Sequence, residues 1–210
     1  MKHLLTLSAI LAVAFAFGAP ADAQEALKSR TYHFGTHPAR TSVTFTSEAD
    51  IETIHGTTNV LSGSIKVDAR GKTASGNLTI PVKNLKTGIA LRDEHLRSDA
   101  WLDERKYPSI RLRLISAREN ARNPKLWDYT ADLTIKGVTR RITGQTRVSA
   151  IPARFSKSLG GGEWVRVRTS FDVRLPDYGV QVPQRLGAKV NTTWKIGIDL
   201  YGTTVAPSRR

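Results

Sequence analysis

Beyond the N-terminal stretch the chain holds four histidines, His33, His37, His55 and His95, the side chains best suited to bind a metal or move a proton near neutral pH. Their spacing limits that chemistry. A zinc protease needs two imidazoles one helical turn apart with a glutamate between them, and no such motif occurs; no cysteine is present to complete a mixed site. His33 and His37 are close enough in sequence to meet in space, so a metal-dependent hydrolase using His33, His37 or His95 is the enzymatic alternative. The acids Asp93-Glu94 and Asp103-Glu104 sit side by side, whereas paired-carboxylate catalysis needs groups opposed across a cleft of about 5–10 Å. They suit solvation or helix capping. No serine lies in a Gly-x-Ser-x-Gly elbow, and the glycines at 160–162 lack the following Lys-Ser or Lys-Thr of a phosphate loop. The expectation is no catalytic residue, no metal and no cofactor.

The chain that carries these residues is 210 long, 40% hydrophobic and 24% charged, with a net charge of +14 and no cysteine. Disorder, a polytopic membrane protein, a disulfide scaffold and thiolate or Fe–S chemistry are excluded. Met1-Lys2-His3 leads into an apolar run over 4–17, followed by Gly18, Ala19, Pro20 and Ala21-Asp22-Ala23. A short cationic end, an apolar stretch too short to span a bilayer and small residues at a cleavage site make 1–23 a secretory signal peptide, cut after Ala23. Residues 24–210 then form one exported, periplasmic domain. The basic balance points to anionic partners; export sets nucleic acid aside, leaving an anionic lipid surface or a merely solvated exterior.

Stepping outward from these residues, alternation of period two dominates the chain. Over 109–114, Ile110, Leu112 and Leu114 share one side and Arg111 and Arg113 the other. Over 129–135, Tyr129, Ala131, Leu133 and Ile135 oppose Thr130, Asp132 and Thr134. Over 165–175, Val167 and Phe171 face with Val165, Val173 and Leu175, while Arg166, Arg168 and Arg174 are expected in solvent. Over 194–200, Trp194, Ile196 and Ile198 alternate with polar residues, and shorter stretches place Phe45, Ile65, Leu78 and Ile80 inward. Turn residues at 68–72, 136–137 and 160–162 suit antiparallel hairpins. The one exception is 90–102, rich in helix formers and closed by Pro108, which predicts a short helix. The fold class is therefore all-β: an antiparallel eight-stranded barrel with one short helical insertion, its strands long enough to favour a barrel over a sandwich. Ala131 is the smallest inward residue of its strand and is expected beside the space inside.

Thr87-Gly88, then Arg92-Asp93, His95-Leu96 and Ser98, then Trp101-Leu102-Asp103 and Lys106-Tyr107-Pro108 resemble the central signature of the YceI-like family. The stretch 133–139, Leu-Thr-Ile-Lys-Gly-Val-Thr, is similar to that family's second signature, and the likeness spans roughly 31–205. The resemblance implies a periplasmic, lipocalin-like barrel whose elongated pore binds polyisoprenoids or similar long-chain amphiphiles, such as quinones or prenyl phosphates, without catalysis. Phe45, Ile65, Leu78, Ile80, Ile110, Leu112 and Leu114 would line that pore with Ala131, Leu133, Val167, Phe171, Trp194, Ile196 and Ile198. On the signature helix, Gly88 allows a tight backbone approach, and Leu91, Leu96, Trp101 and Leu102 plug the side of the barrel. Arg92 and His95 read as head-group contacts, since arginine forks onto phosphate or quinone oxygens. The other reading has Arg92 and Asp93 closing the barrel through structural hydrogen bonds.

The expected function is an exported carrier or sequestering protein, with a metal-dependent hydrolase and a basic protein binding anionic lipid as alternatives. Its expected partner is a long-chain isoprenoid or amphiphilic lipid, with weak anionic membrane contact, no nucleic acid, and a homodimer left open. The leader predicts a mature N-terminus at Gln24. The intact mass of the protein in a periplasmic fraction checks this, and Met1 retained in a membrane fraction would refute it.

Overall fold

The computed structural model describes residues 29–207 apart from 69 and 71, so the leader over 1–23 and the cleavage point lie outside the described residues. Ten strand segments follow one another: β1 (Arg30–Phe34), β2 (Thr41–Glu48), β3 (Thr53–Thr58), β4 (Ser62–Asp68), β5 (Thr73–Pro81), β6 (Ser109–Asn120), β7 (Asn123–Ile135), β8 (Val138–Ile151), β9 (Trp164–Arg174) and β10 (Thr193–Thr203), with helix α1 (Ala90–Arg97) between β5 and β6. All pairings are antiparallel, in the order β1-β4-β5-β6-β7-β8-β9-β10-β2-β3, and β1 also pairs with β10. On its outer edge β10 pairs with β2 through Lys195–Leu200 and with β1 through Gly202 and Thr203. β1 and β2 are thus two halves of one wall strand, and β3 and β4 are two halves of the next. The result is a closed, eight-stranded, up-and-down barrel.

The alternation in the sequence explains the walls. Along β7, Tyr129, Ala131, Leu133 and Ile135 are buried. Asp132, on the other face, is covered as well, because Arg113 Nη2 and Arg141 Nε from the flanking strands donate to its two oxygens at 2.7 and 2.6 Å. One bulge in β6 between Leu114 and Ala117 shifts its register against both β5 and β7, leaving Ile115 and Ser116 on the outside and returning Ala117 to the interior.

The barrel has two unlike ends. At the cap end lie the β2–β3 and β7–β8 turns, α1 with the segments around it, and residues 175–192; here Val82, Leu85, Leu96, Leu102, Leu175 and Val180 build the largest core cluster. At the open end lie the β4–β5 and β6–β7 turns, the 152–163 loop and the start of β1.

The short helix expected within 90–102 spans Ala90–Arg97, where Ser98 turns extended with its N–H on Glu94 and His95, and a further turn follows over 98–102. Two local expectations need correction. Leu91 does not plug the barrel: the buried side of α1 runs through Asp93 and Leu96, which leaves Leu91 61% exposed, while Leu96 and Leu102 cover the barrel end and not its side. Gly88 is required by its backbone, with φ at +83°, and not by close approach, since a Cβ there would meet open space.

Arg111, Arg113, Arg168 and Arg174 are exposed as the alternation predicts, but Arg166 is only half-exposed. Its Nε and Nη2 donate to the two carboxylate oxygens of Asp199 on β10 at 2.8 and 2.5 Å, a bidentate pair across neighbouring strands. Arg166→Gln should therefore destabilise by about 1 kcal/mol in urea unfolding, and Arg111→Gln by no more than about 0.5 kcal/mol. Equal losses at the two positions would contradict this division.

Candidate functional site

Inside the open half of the barrel is a cavity of about 340 Å³, a size typical of small-molecule sites. Of the residues expected inside, Ile65, Leu78, Leu112, Leu114, Val167, Phe171 and Ile198 line it. Leu78, Leu112, Phe171 and Ile198 also border a narrower cavity of about 90 Å³ that continues toward the cap, where Phe45, Ile80, Ile110, Leu133, Trp194 and Ile196 form the wall. The two spaces make one apolar tube. Ala131 lines neither: it is fully buried between its paired neighbours Leu114 and Ile142, larger residues that cover it.

The tube reaches solvent at the open end beside Glu119, Pro124 and Ala150, the last two exposed. Glu119 is the one charged side chain among the described residues lining the larger cavity, and Lys72 neutralises it at 3.0 Å. Toward the middle, the β8–β9 ladder stops at Arg147 and Arg168. Beyond it the Thr169 hydroxyl donates to Gln145 O at 2.9 Å in place of backbone pairing. Tyr129 lies across this seam with its hydroxyl over Gly144, buried and without a hydrogen bond of ordinary geometry. Burial raises its pKa, so the phenol stays neutral.

Tyr129 lines the cavity from the inward face on which the alternation put it, whereas Trp127, Thr146, Val148 and Thr169 escaped the sequence reading. The signal for Thr146 and Val148 is the period-two continuation from Ile142 along β8, where small and polar residues dilute the apolar pattern.

Arg92 and His95 stand apart from this tube. They line a pocket of about 310 Å³ on the outer side of the cap, with Glu52, Trp101 and Lys189. Between that pocket and the tube, the rings of Phe45 and Trp194 stack with centroids 5.0 Å apart and planes within 9°, and Trp101 adds a third layer 6.2 Å from Trp194. The stack is fixed at both sides. Trp194 Nε1 donates to Asn191 O at 2.9 Å, and Gly56 leaves the space that the Phe45 ring fills, where a Cβ would come within 2.0 Å of it. Arg92 Nη2 donates to Glu52 Oε1 at 2.5 Å. A single ligand held by both Arg92 and the tube must therefore pass the aromatic stack.

Asp93 is structural. Its Oδ1 accepts the Thr87 N–H at 2.6 Å and the Thr87 hydroxyl at 2.7 Å, and Lys86 Nζ lies 3.6 Å from Oδ2. Burial works to raise its pKa, but the two Thr87 bonds, with Lys86 and Arg97, outweigh it and hold the carboxyl below its usual range. The histidines are dispersed: His33 is in β1, His37 packs edge-on to Trp164 at 4.7 Å, His55 contacts Thr46 and His95 is on α1. Among the described residues no three His, Asp or Glu side chains converge as a metal-holding group.

The YceI-like domain profile matches residues 34–201. A UPF0312 protein of Pseudomonas savastanoi pv. phaseolicola is 33% identical over 135 residues, covering 62% of this chain and 65% of its own length. Protein YceI of Escherichia coli O17:K52:H18 is 28% identical over 135 residues, covering 61% and 64%. The chain thus spans just under two thirds of these relatives. Among solved structures, Burkholderia cenocepacia BcnA superposes with a TM-score of 0.68 at 18% identity, covering 80% of this chain and 99% of that one. A polyisoprenoid binding domain from Saccharophagus degradans, implicated in plant cell wall breakdown, gives 0.61 at 18% identity, covering 84% and 99%. At such identity these two share the fold.

Asp93→Ala should cost about 2 kcal/mol at neutral pH, the expense of leaving the Thr87 donors unpaired. Because the folded carboxyl titrates below its unfolded value, the wild-type advantage is complete above the unfolded pKa of about 3.9 and fades as pH falls through the folded one. Urea unfolding of both proteins from neutral to strongly acidic pH checks this, and an advantage that survives undiminished in acid would exclude it.

Proposed function

The chain belongs to the YceI-like family, and from that premise we propose that it is an exported carrier or sequestering protein for a polyisoprenoid or similar long-chain amphiphile. The observation that carries the reading is the apolar tube open at one end, whose larger cavity has, among the described residues, one charged lining residue, Glu119, itself neutralised by Lys72. Such a space favours an alkyl or isoprenoid chain, because each methylene moved out of water contributes about 0.8 kcal/mol and needs no polar partner. The name of the Saccharophagus neighbour as a polyisoprenoid binding domain supports the same ligand class. The cationic, apolar and small-residue pattern over 1–23 supports export to the periplasm.

The polar end of the ligand belongs at the open rim in this reading. A phosphate carried inside the tube would be buried without a cation, at a cost of several kcal/mol. A quinone, whose oxygens are neutral, can travel deeper. Arg92 and His95 serve a head group only if the Phe45–Trp194 stack opens, so binding of the chain does not depend on them.

Val167 is the position for a test, half-buried on β9 and paired with Leu200 and Val148, which line the same cavity. In Val167→Trp the indole takes ligand volume. The melting temperature of lipid-stripped protein should stay within a few degrees of wild type, while lipid recovered by extraction and mass spectrometry should fall severalfold. A variant that unfolds would indicate a packed barrel, and one that retains its full lipid content would remove the cavity from the binding site.

A further inference from the structure

We propose that the open end of the barrel docks mouth-down on an anionic phospholipid bilayer. The proposal rests on the carrier reading and names the surface on which that carrier loads. Three observations converge on this end of the molecule.

The first is charge. The turns and loop around the mouth present Arg70, Arg122, Lys125, Arg154 and Lys157, all exposed, and none is ion-paired among the described residues. The acids at the same end are already engaged: Glu119 with Lys72, Glu163 with Arg30 and Tyr32, and Asp68 with the Arg70 N–H. At the cap end the charges nearly cancel, with nine Lys or Arg against eight Asp or Glu over 49–52, 82–108, 136–137 and 175–192. Of the two ends, the mouth is therefore the one with an excess of positive charge. Each exposed cation near an anionic leaflet adds to the attraction, which falls off within a Debye length of the surface.

The second is an exposed aromatic in the same place. Phe155 ends a short 3-10 turn (Ala153–Phe155) in the 152–163 loop, is 46% exposed, and carries the Arg154 guanidinium over its ring at 4.8 Å. An aromatic flanked by cations suits the head-group layer, where the ring enters the interface while the charges meet phosphates. The outer strand arginines, Arg111, Arg113, Arg168 and Arg174, lack such a neighbour and girdle the barrel.

The third is the mouth itself. The tube opens between Pro124 and Ala150 on the face that bears this rim. A chain leaving a bilayer exposes its methylenes to water unless the receiving cavity abuts the membrane, and docking at this end removes that exposure. The cap end offers no such path, because the Phe45–Trp194 stack closes the tube there.

The test uses the mature protein with vesicles of phosphatidylcholine alone or mixed with phosphatidylglycerol. Wild type should co-sediment with the mixed vesicles, less so at high salt, and ignore the neutral ones. The combined variant Arg122→Gln, Lys125→Gln, Arg154→Gln should lose at least roughly tenfold in vesicle affinity. A cap-end control, Lys83→Gln, Arg105→Gln, Lys106→Gln, should change it by less than about twofold. Phe155→Ser should slow transfer of a fluorescent long-chain probe from mixed vesicles to the protein without changing binding of the same probe in solution. Equal binding to neutral vesicles, equal loss in the two triple variants, or binding to heparin but not to mixed vesicles would each overturn the proposal. Failure of the probe to bind in solution would instead bring down the carrier reading, so the two failures are distinguishable.

Discussion

An antiparallel meander leaves two free edges unless its first and last strands pair, and β10 supplies that closure here by dividing its outer edge. Lys195–Leu200 holds β2, and Gly202 and Thr203 hold β1. Its other edge pairs with β9 along all of β10, from Thr193 to Thr203. Without this division either the β1–β4 half or the β2–β3 half would present unpaired donors and acceptors, a template for aggregation. Closure also decides what happens to the apolar faces: once every inward side chain points at a shared axis, the interior is filled or hollow according to residue size alone.

That size changes along the axis. Toward the cap, Phe45, Trp194, Leu133 and Val173 meet across the barrel, and Leu85, Leu102 and Leu175 close it from beyond the strands. Toward the mouth, Ala74 and Ala117 are paired inward residues of β5 and β6, and both line the larger cavity. Two alanines where the other end has large residues leave space at the open end, and the aromatic stack stops it from running through. The tube is a consequence of where small residues fall on a closed sheet, with no special loop required.

The walls were legible in the sequence because a strand with one wet face repeats every two residues, as Ile110, Leu112 and Leu114 or Leu133 and Ile135 do. Closure as a barrel followed from strand length and from the resemblance. What stayed hidden depends on interruptions and partners that periodicity does not encode. The bulge after Leu114 shifts the phase of β6, so that Ser116 stays outside and Ala117 turns inward, a reversal no alternation predicts. Arg166 looks like its neighbours Arg168 and Arg174 in sequence, and only the arrival of Asp199 from β10 sets it apart. Leu91 matched an apolar plug by type, but the helix face is chosen by the tether between Asp93 and Thr87. The position of Arg92 and His95 beyond the aromatic stack needed Phe45 and Trp194, far apart in sequence, to be seen in contact.

The placement of the signature residues changes what the resemblance means physically. Thr87 and Asp93 bond to each other, Leu96 and Leu102 are buried in the cap, and Trp101 stacks on Trp194. These residues close one end of the barrel and lie away from the larger cavity, whose polar lining side chains, Tyr32, Glu119, Trp127, Tyr129, Thr146 and Thr169, all fall outside the signature. In this chain the signature residues therefore build the cap, and the lining of the larger cavity comes from other positions. The same separation lets the two ends specialise, since the cap needs tight packing and paired charge while the mouth needs neither. Cations left unpaired around that mouth are costly only to one another, and the repulsion is relieved whenever an anionic surface approaches.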